Sequence, residues 1–167
     1  WQYKTFKNDK VEVAEGQEFT FTTRDVEGDE NIVSVTHGSL INDLSVGDRI
    51  LGNNGLVVFE VKQLQGTEAV CTTLVGGVLS NRKSMSFPNK VMSGPYLSEQ
   101  DKADILFGIE NDVDYVAASF VSTKEDVQSL RKFLNDNGGQ QIDIIAKIEN
   151  RAGVDNIEAI CEACEGI

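Results

Sequence analysis

The hydrophobic period of this chain changes near residue 87, and that change limits the fold more than any other feature. Before it the apolar residues alternate with polar ones in short runs: Lys10-Val11-Glu12-Val13, Phe19-Thr20-Phe21-Thr22-Thr23, Ile32-Val33-Ser34-Val35, Val57 to Val61 and Ala69 to Leu74. A period of two is that of a half-buried strand. Glu15-Gly16, Gly28-Asp29, Asn54-Gly55, Gln65-Gly66 and Gly76-Gly77 punctuate the runs with turn chemistry. Residues up to about 87 therefore predict a small all-β module, a sandwich or a barrel.

From Ser98 the period lengthens. Ser98 is placed to cap a helix running to about Asn111, with Glu99 and Asp101 in its first turn complementing the helix dipole. Asp114 to Val121 predicts a continuous apolar strand. Thr123 then caps an amphipathic helix with Val127, Leu130, Phe133 and Leu134 on one face and Asn137-Gly138-Gly139 as its stop. Ile142 to Ile148 predicts a second buried strand, followed by a helix carrying Ile157, Ile160 and Ala163. Helix and strand alternating through short connections is the pattern of parallel α/β, where strands covered on both faces read as unbroken apolar runs. Two such strands do not close a barrel, so the sequence predicts a piece of something larger, with a further strand due at Gly166-Ile167.

Charge divides in the same way. Twenty-seven acidic and fifteen basic side chains give a net charge of −12, and residues 91–167 carry fifteen of the acids against six cations. That balance argues against nucleic acid or an anionic membrane surface as a partner. No window approaches the ~18 apolar residues of a membrane span, and the first ten residues lack the apolar core of a signal peptide. Three cysteines do not form a disulfide framework and suit a reducing, cytoplasmic setting. Cys161-Glu162-Ala163-Cys164 has redox or half-zinc spacing. With neighbouring acids and no second pair, it is expected to be two ordinary helix cysteines. Cys71 is expected in the core and His37 in a turn.

The densest chemical signal is Ile144-Ile145-Ala146-Lys147-Ile148-Glu149-Asn150. Lys147 and Glu149 project to one side by strand alternation, at the end of a parallel strand where α/β enzymes hold their active sites. There a Lys neutralises a developing oxyanion or a transferring phosphoryl group, and a Glu holds Mg²⁺. On pattern alone, an ordinary Lys and Glu reaching solvent from a strand end is the commoner case, since charges at strand ends are common.

Asp114-Tyr115-Val116-Ala117-Ala118-Ser119-Phe120-Val121, I-I-A-K-I-E-N at 144–150 and Gly153-Val154-Asp155-Asn156-Ile157 closely resemble the pyruvate kinase family. Phe107-Gly108-Ile109-Glu110 and Val46-Gly47-Asp48-Arg49-Ile50-Leu51 resemble it too, and only the first five residues match weakly. The resemblance implies an α/β fold: a partial (β/α)8 barrel carrying an inserted small all-β barrel. Residues 6–87 would be the inserted lid, and residues 88–167 the barrel portion from its third helix to the start of its sixth strand. It implies phosphoryl transfer from phosphoenolpyruvate to ADP, giving pyruvate and ATP, with Mg²⁺ (or Mn²⁺) and K⁺, in a whole enzyme that is a homotetramer. Lys147 would stabilise the transferring charge, Glu149 would be one of two carboxylates on the metal, Ser119 would lie near the monovalent cation and substrate, and Lys83 would reach the nucleotide phosphates.

Departures from the family pattern fall in the lid. Asn53-Asn54-Gly55 stands where the family usually has Asp-Asp-Gly, Lys83-Ser84-Met85-Ser86 replaces Lys-Gly-Val-Asn, and Pro88-Asn89 replaces Pro-Gly. The family's substrate arginine, its second metal carboxylate and its regulatory domain are expected outside this sequence, so the polypeptide alone is expected to be inactive. Two other readings stay open: a catalytically silent relative whose β module binds a partner, and another Mg²⁺-dependent barrel enzyme acting on phosphoenolpyruvate or a 2-oxo acid.

Overall fold

A computed structural model describes residues 2–36, 38–88 and 90–167. The expectation for His37 and the change at Asn89 lie outside the described residues. The chain forms two compact units, Trp1–Ser93 and Gly94–Ile167.

The first unit is all-β apart from a short helix, α1 (Leu40–Asp43), and a 3-10 turn, Asn53–Gly55. Its strands are β1 (Lys10–Val13), β2 (Glu18–Thr22), β3 (Ile32–Ser34), β4 (Arg49–Gly52), β5 (Val57–Gln65), β6 (Glu68–Val75), β7 (Gly77–Ser80) and β8 (Met85–Ser86). Six of them form one sheet in the order β3-β2-β6-β5-β4-β8, while β1 pairs antiparallel with β7. Alternation sets the core: Val57, Phe59 and Val61 on β5 and Ala69 and Cys71 on β6 are buried, with half-buried Val58, Glu60 and Val70 between them. Phe19, Phe21 and Phe59 pack with ring centroids 5.1–5.4 Å apart. Each ring is fully buried, which stabilises the unit by about 1.5–3 kcal/mol relative to exposure. Gly76 lets the chain leave β6 and join β1, since a Cβ there would lie 2.6 Å from the Val13 carbonyl oxygen. Lys90 keeps the exit segment with this unit by donating to Ser45 Oγ at 3.0 Å and Asp48 Oδ2 at 2.7 Å, and the Ser93 amide donates to Asp43.

The second unit runs α2 (Glu99–Glu110), β9 (Tyr115–Ala118), α3 (Lys124–Asp136), β10 (Asp143–Ala146), α4 (Arg151–Asp155) and α5 (Ile157–Cys161). Ser98 and Thr123 both form capping boxes, with Asp101 and Asp126 returning to the cap amides. On α3, Val127, Leu130 and Leu134 are buried, and Gly138 takes the left-handed conformation that ends the helix. β9 and β10 pair in parallel, Tyr115 opposite Asp143 through Ala118 opposite Ala146. The Gly166 carbonyl accepts from the Ala146 amide at 2.8 Å, so the chain returns to the sheet beside β10 where a further strand is predicted.

Two details differ from the sequence expectation. The strands are shorter, β9 ending at Ala118 and β10 at Ala146, and past the end of β9 Phe120 leaves extended backbone with φ 55°. They are also covered on one face within this unit: Ala118, Ile144 and Ala146 are buried, whereas Tyr115 is 62% exposed. Unbroken apolarity in Tyr115-Val116-Ala117-Ala118 therefore reflects more burial than this unit supplies.

Candidate functional site

The parallel ladder continues one step past both strands. The Lys147 amide donates to the Ala118 carbonyl at 2.8 Å, and the Val121 amide to the Lys147 carbonyl at 3.3 Å. Ser119 and Lys147 are thereby fixed as the first residues beyond the C-terminal ends of β9 and β10. Ala146 is buried and Ile148 packs on the core, so Lys147 between them and Glu149 after Ile148 are turned outward.

These side chains interlock. Lys147 Nζ donates to Ser119 Oγ at 2.9 Å and lies 3.3 Å from Glu149 Oε1, while Glu149 Oε2 accepts from the Phe120 amide at 2.8 Å. Lys147 and Glu149 remain 45% and 32% exposed, open to an incoming ligand. Glu149 offers a hard carboxylate oxygen beside a cation, the donor type that suits Mg²⁺ when substrate oxygens complete its shell. Among the described residues no group of three or more His, Cys, Asp or Glu side chains gathers as a metal centre. A divalent ion here would be held by Glu149 together with oxygens from other sources.

The loop after β10 is stiffened where it follows Glu149. Asn150 caps α4, its Oδ1 accepting from the Gly153 amide at 2.7 Å and its Nδ2 donating to Ser122 Oγ at 3.0 Å. A Cβ on Gly153 would lie 2.6 Å from the Val121 carbonyl oxygen, so only glycine lets α4 approach the end of β9 this closely.

Ser119, Lys147 and Glu149, all singled out in the sequence, are thus brought together. Lys83 belongs to the β unit, between β7 and β8. Its side chain is exposed and its carbonyl accepts from the Tyr3 amide at 3.3 Å. In the same unit Asn53, Asn54 and Gly55 have φ of 47°, 56° and 83°. Asn and Gly tolerate that left-handed run, and Asn53 Nδ2 donates to the Val78 carbonyl at 3.0 Å. Cys161 and Cys164 are free thiols, and Cys164 Sγ donates to backbone carbonyls at 3.2 Å.

Three contributors escape a reading of sequence pattern: Tyr96, the Phe120 backbone and the capping role of Asn150. Tyr96 sits before the Ser98 cap, and its hydroxyl donates to the Ser119 carbonyl at 2.7 Å. Burial, helped by the carboxylates of Asp126, Asp101 and Glu149, pushes its ionisation well above the usual phenol range.

The family model described as "Pyruvate kinase, barrel domain" matches residues 2–167, which fits the second unit as part of a barrel. The pyruvate kinase of Clostridium perfringens is 40% identical over 163 residues, covering 97% of this chain and 34% of that protein. The pyruvate kinase of Geobacillus stearothermophilus is 43% identical over 163 residues, 96% of this chain and 28% of that protein. The Bacillus licheniformis pyruvate kinase is 40% identical over 165 residues, 98% and 28% respectively. The chain spans about a third or less of the length of these relatives. With the model matching nearly every residue and relatives near 40% identity across the same span, the chain belongs to the pyruvate kinase family.

Proposed function

We propose that this chain supplies part of the site at which a phosphoryl group passes from phosphoenolpyruvate to ADP. The observation that carries the proposal is the Lys147–Glu149 pair, 3.3 Å apart, just past the C-terminal end of β10 and hydrogen-bonded to Ser119 and Phe120 past the end of the adjacent parallel β9. In this transfer the bond between the enol oxygen and phosphorus breaks, a bond to the terminal phosphate oxygen of ADP forms, and the enolate takes a proton to become pyruvate. Little covalent chemistry falls to the protein, so charge placement and exclusion of water are its main tasks.

Lys147 provides positive charge for the transferring phosphoryl oxygens and the enolate oxygen, and Ser119 Oγ orients its ammonium. Glu149 holds Mg²⁺ (or Mn²⁺), which when bound neutralises phosphate charge. Ser119 would serve the K⁺ and substrate site, and Lys83 would neutralise charge on the nucleotide phosphates. Under this reading residues 88–167 are part of a (β/α)8 barrel and residues 6–87 an inserted β-barrel lid. The setting is cytoplasmic and the whole enzyme a homotetramer.

One observation favours a second reading, a silent relative. Asn53 spends its side chain on the Val78 carbonyl and brings no charge to the β4–β5 turn.

Mn²⁺ titration of the 167-residue chain, followed by NMR, tests the proposal. Paramagnetic broadening is expected at Ser119, Phe120, Lys147 and Glu149, and is expected to vanish in Glu149→Gln. Broadening centred elsewhere, or unchanged in Glu149→Gln, overturns the assignment of Glu149.

A further inference from the structure

Ser119 and Phe120 share one peptide group, and both ends of that group are held. Its carbonyl oxygen accepts from the Tyr96 hydroxyl at 2.7 Å, and its N–H donates to Glu149 Oε2 at 2.8 Å. The orientation so fixed is a costly one, because it leaves Phe120 at φ 55°, where a non-glycine residue is strained by roughly 1–2 kcal/mol. Rotating this peptide by half a turn would bring Phe120 to a negative φ, outside the left-handed region. It would also aim the carbonyl at the Glu149 carboxylate.

From this geometry we infer that Tyr96 is a positioning residue: its hydroxyl latches the Ser119–Phe120 peptide so that the amide faces Glu149 and Ser119 Oγ faces Lys147. The inference rests on the proposed function, in which Lys147 and Glu149 do the chemistry. Tyr96 is well placed for the role. Leu97 is buried beside it, Ser98 anchors it to the α2 cap, and its ring packs on the unit's core. The Ser119 carbonyl can only accept, so the phenol must keep its proton, which its raised ionisation ensures. Tyr96 touches neither reacting group and acts through one peptide bond.

Amide hydrogen exchange on the 167-residue chain tests this, with Mn²⁺ broadening as a second readout. Tyr96→Phe keeps the ring and removes only the hydroxyl. It is expected to speed exchange of the Phe120 amide by about tenfold, as fits the loss of one hydrogen bond. Exchange at Leu130 and Ile144 should stay unchanged, and Mn²⁺ broadening at Phe120 should weaken severalfold. Unchanged Phe120 exchange in Tyr96→Phe overturns the inference. So does a pattern in which Tyr96→Phe is silent and only Tyr96→Ala acts, lowering protection at Leu130 and Ile144 alike, since that is packing by the ring. Failure of Mn²⁺ to broaden Phe120 in the unmodified chain would count against the metal role of Glu149, and the exchange comparison would still decide the role of Tyr96.

Discussion

Lys147 Nζ lies 2.9 Å from Ser119 Oγ, although 28 residues separate them, because each is the first residue past the end of one of two paired parallel strands. The relationship is a property of register: Ala118 stands opposite Ala146, so the next residues on both strands must meet. Any change that slips this register or loosens the following turns should separate the pair.

Asn150 is one of these supports. Its side chain caps α4 and also holds Ser122, one residue beyond Val121. Asn150→Ala is expected to lower stability by about 1–2 kcal/mol. Urea unfolding monitored by an amide on α4, such as that of Val154, would show the loss, and an unchanged midpoint would contradict it.

The tip of the β4–β5 hairpin makes a backbone prediction. Asn54 has φ 56° between two other left-handed residues. Asn54→Val should destabilise the β unit by roughly 1–2 kcal/mol through Cβ crowding, and Asn54→Gly should be tolerated. Thermal unfolding of the two variants would separate this backbone effect from any loss of polar contact.

The β unit should weaken in alkali. Burial pushes the Cys71 thiol from 9.0 up to about 12, and burial likewise raises the Tyr3 phenol from 10.0 to about 12. Both groups hold protons in the folded state that the unfolded chain has already released. Their stabilising contribution is therefore complete below pH 9 and is lost as pH rises to about 12. Denaturant midpoints measured across that range should fall, and Cys71→Val should flatten the first part of the decline.

The period change near residue 87 and the capping residues Ser98 and Thr123 were legible because each depends on local chemistry. Local spacing likewise places Lys147 and Glu149 on one side. Strands β4, β7 and β8 were not legible as strands. They are two to four residues long and owe their existence to partners: Gly52 sits opposite Met85, and Gly77 opposite Val13. Tyr96 was equally hidden, since a tyrosine before a helix cap carries no periodic signal and its role depends on a carbonyl 23 residues away. The left-handed Phe120 breaks an apolar run that its composition would extend, and the strain is held by contacts from Tyr96 and Glu149.

The central claim, that Lys147 serves phosphoryl transfer, is tested most directly by a chimera. In it residues 2–167 replace the matching segment of one of the pyruvate kinase relatives, and turnover is read by a lactate-dehydrogenase-coupled assay. The 167-residue polypeptide alone is expected to give no turnover, because it spans only about a third or less of the length of its pyruvate kinase relatives. The folded chimera should form ATP from phosphoenolpyruvate and ADP, and Lys147→Met should lower kcat by at least ~10²-fold with little change in unfolding temperature. A folded chimera with no activity, or one whose kcat is unaffected by Lys147→Met, would contradict the account.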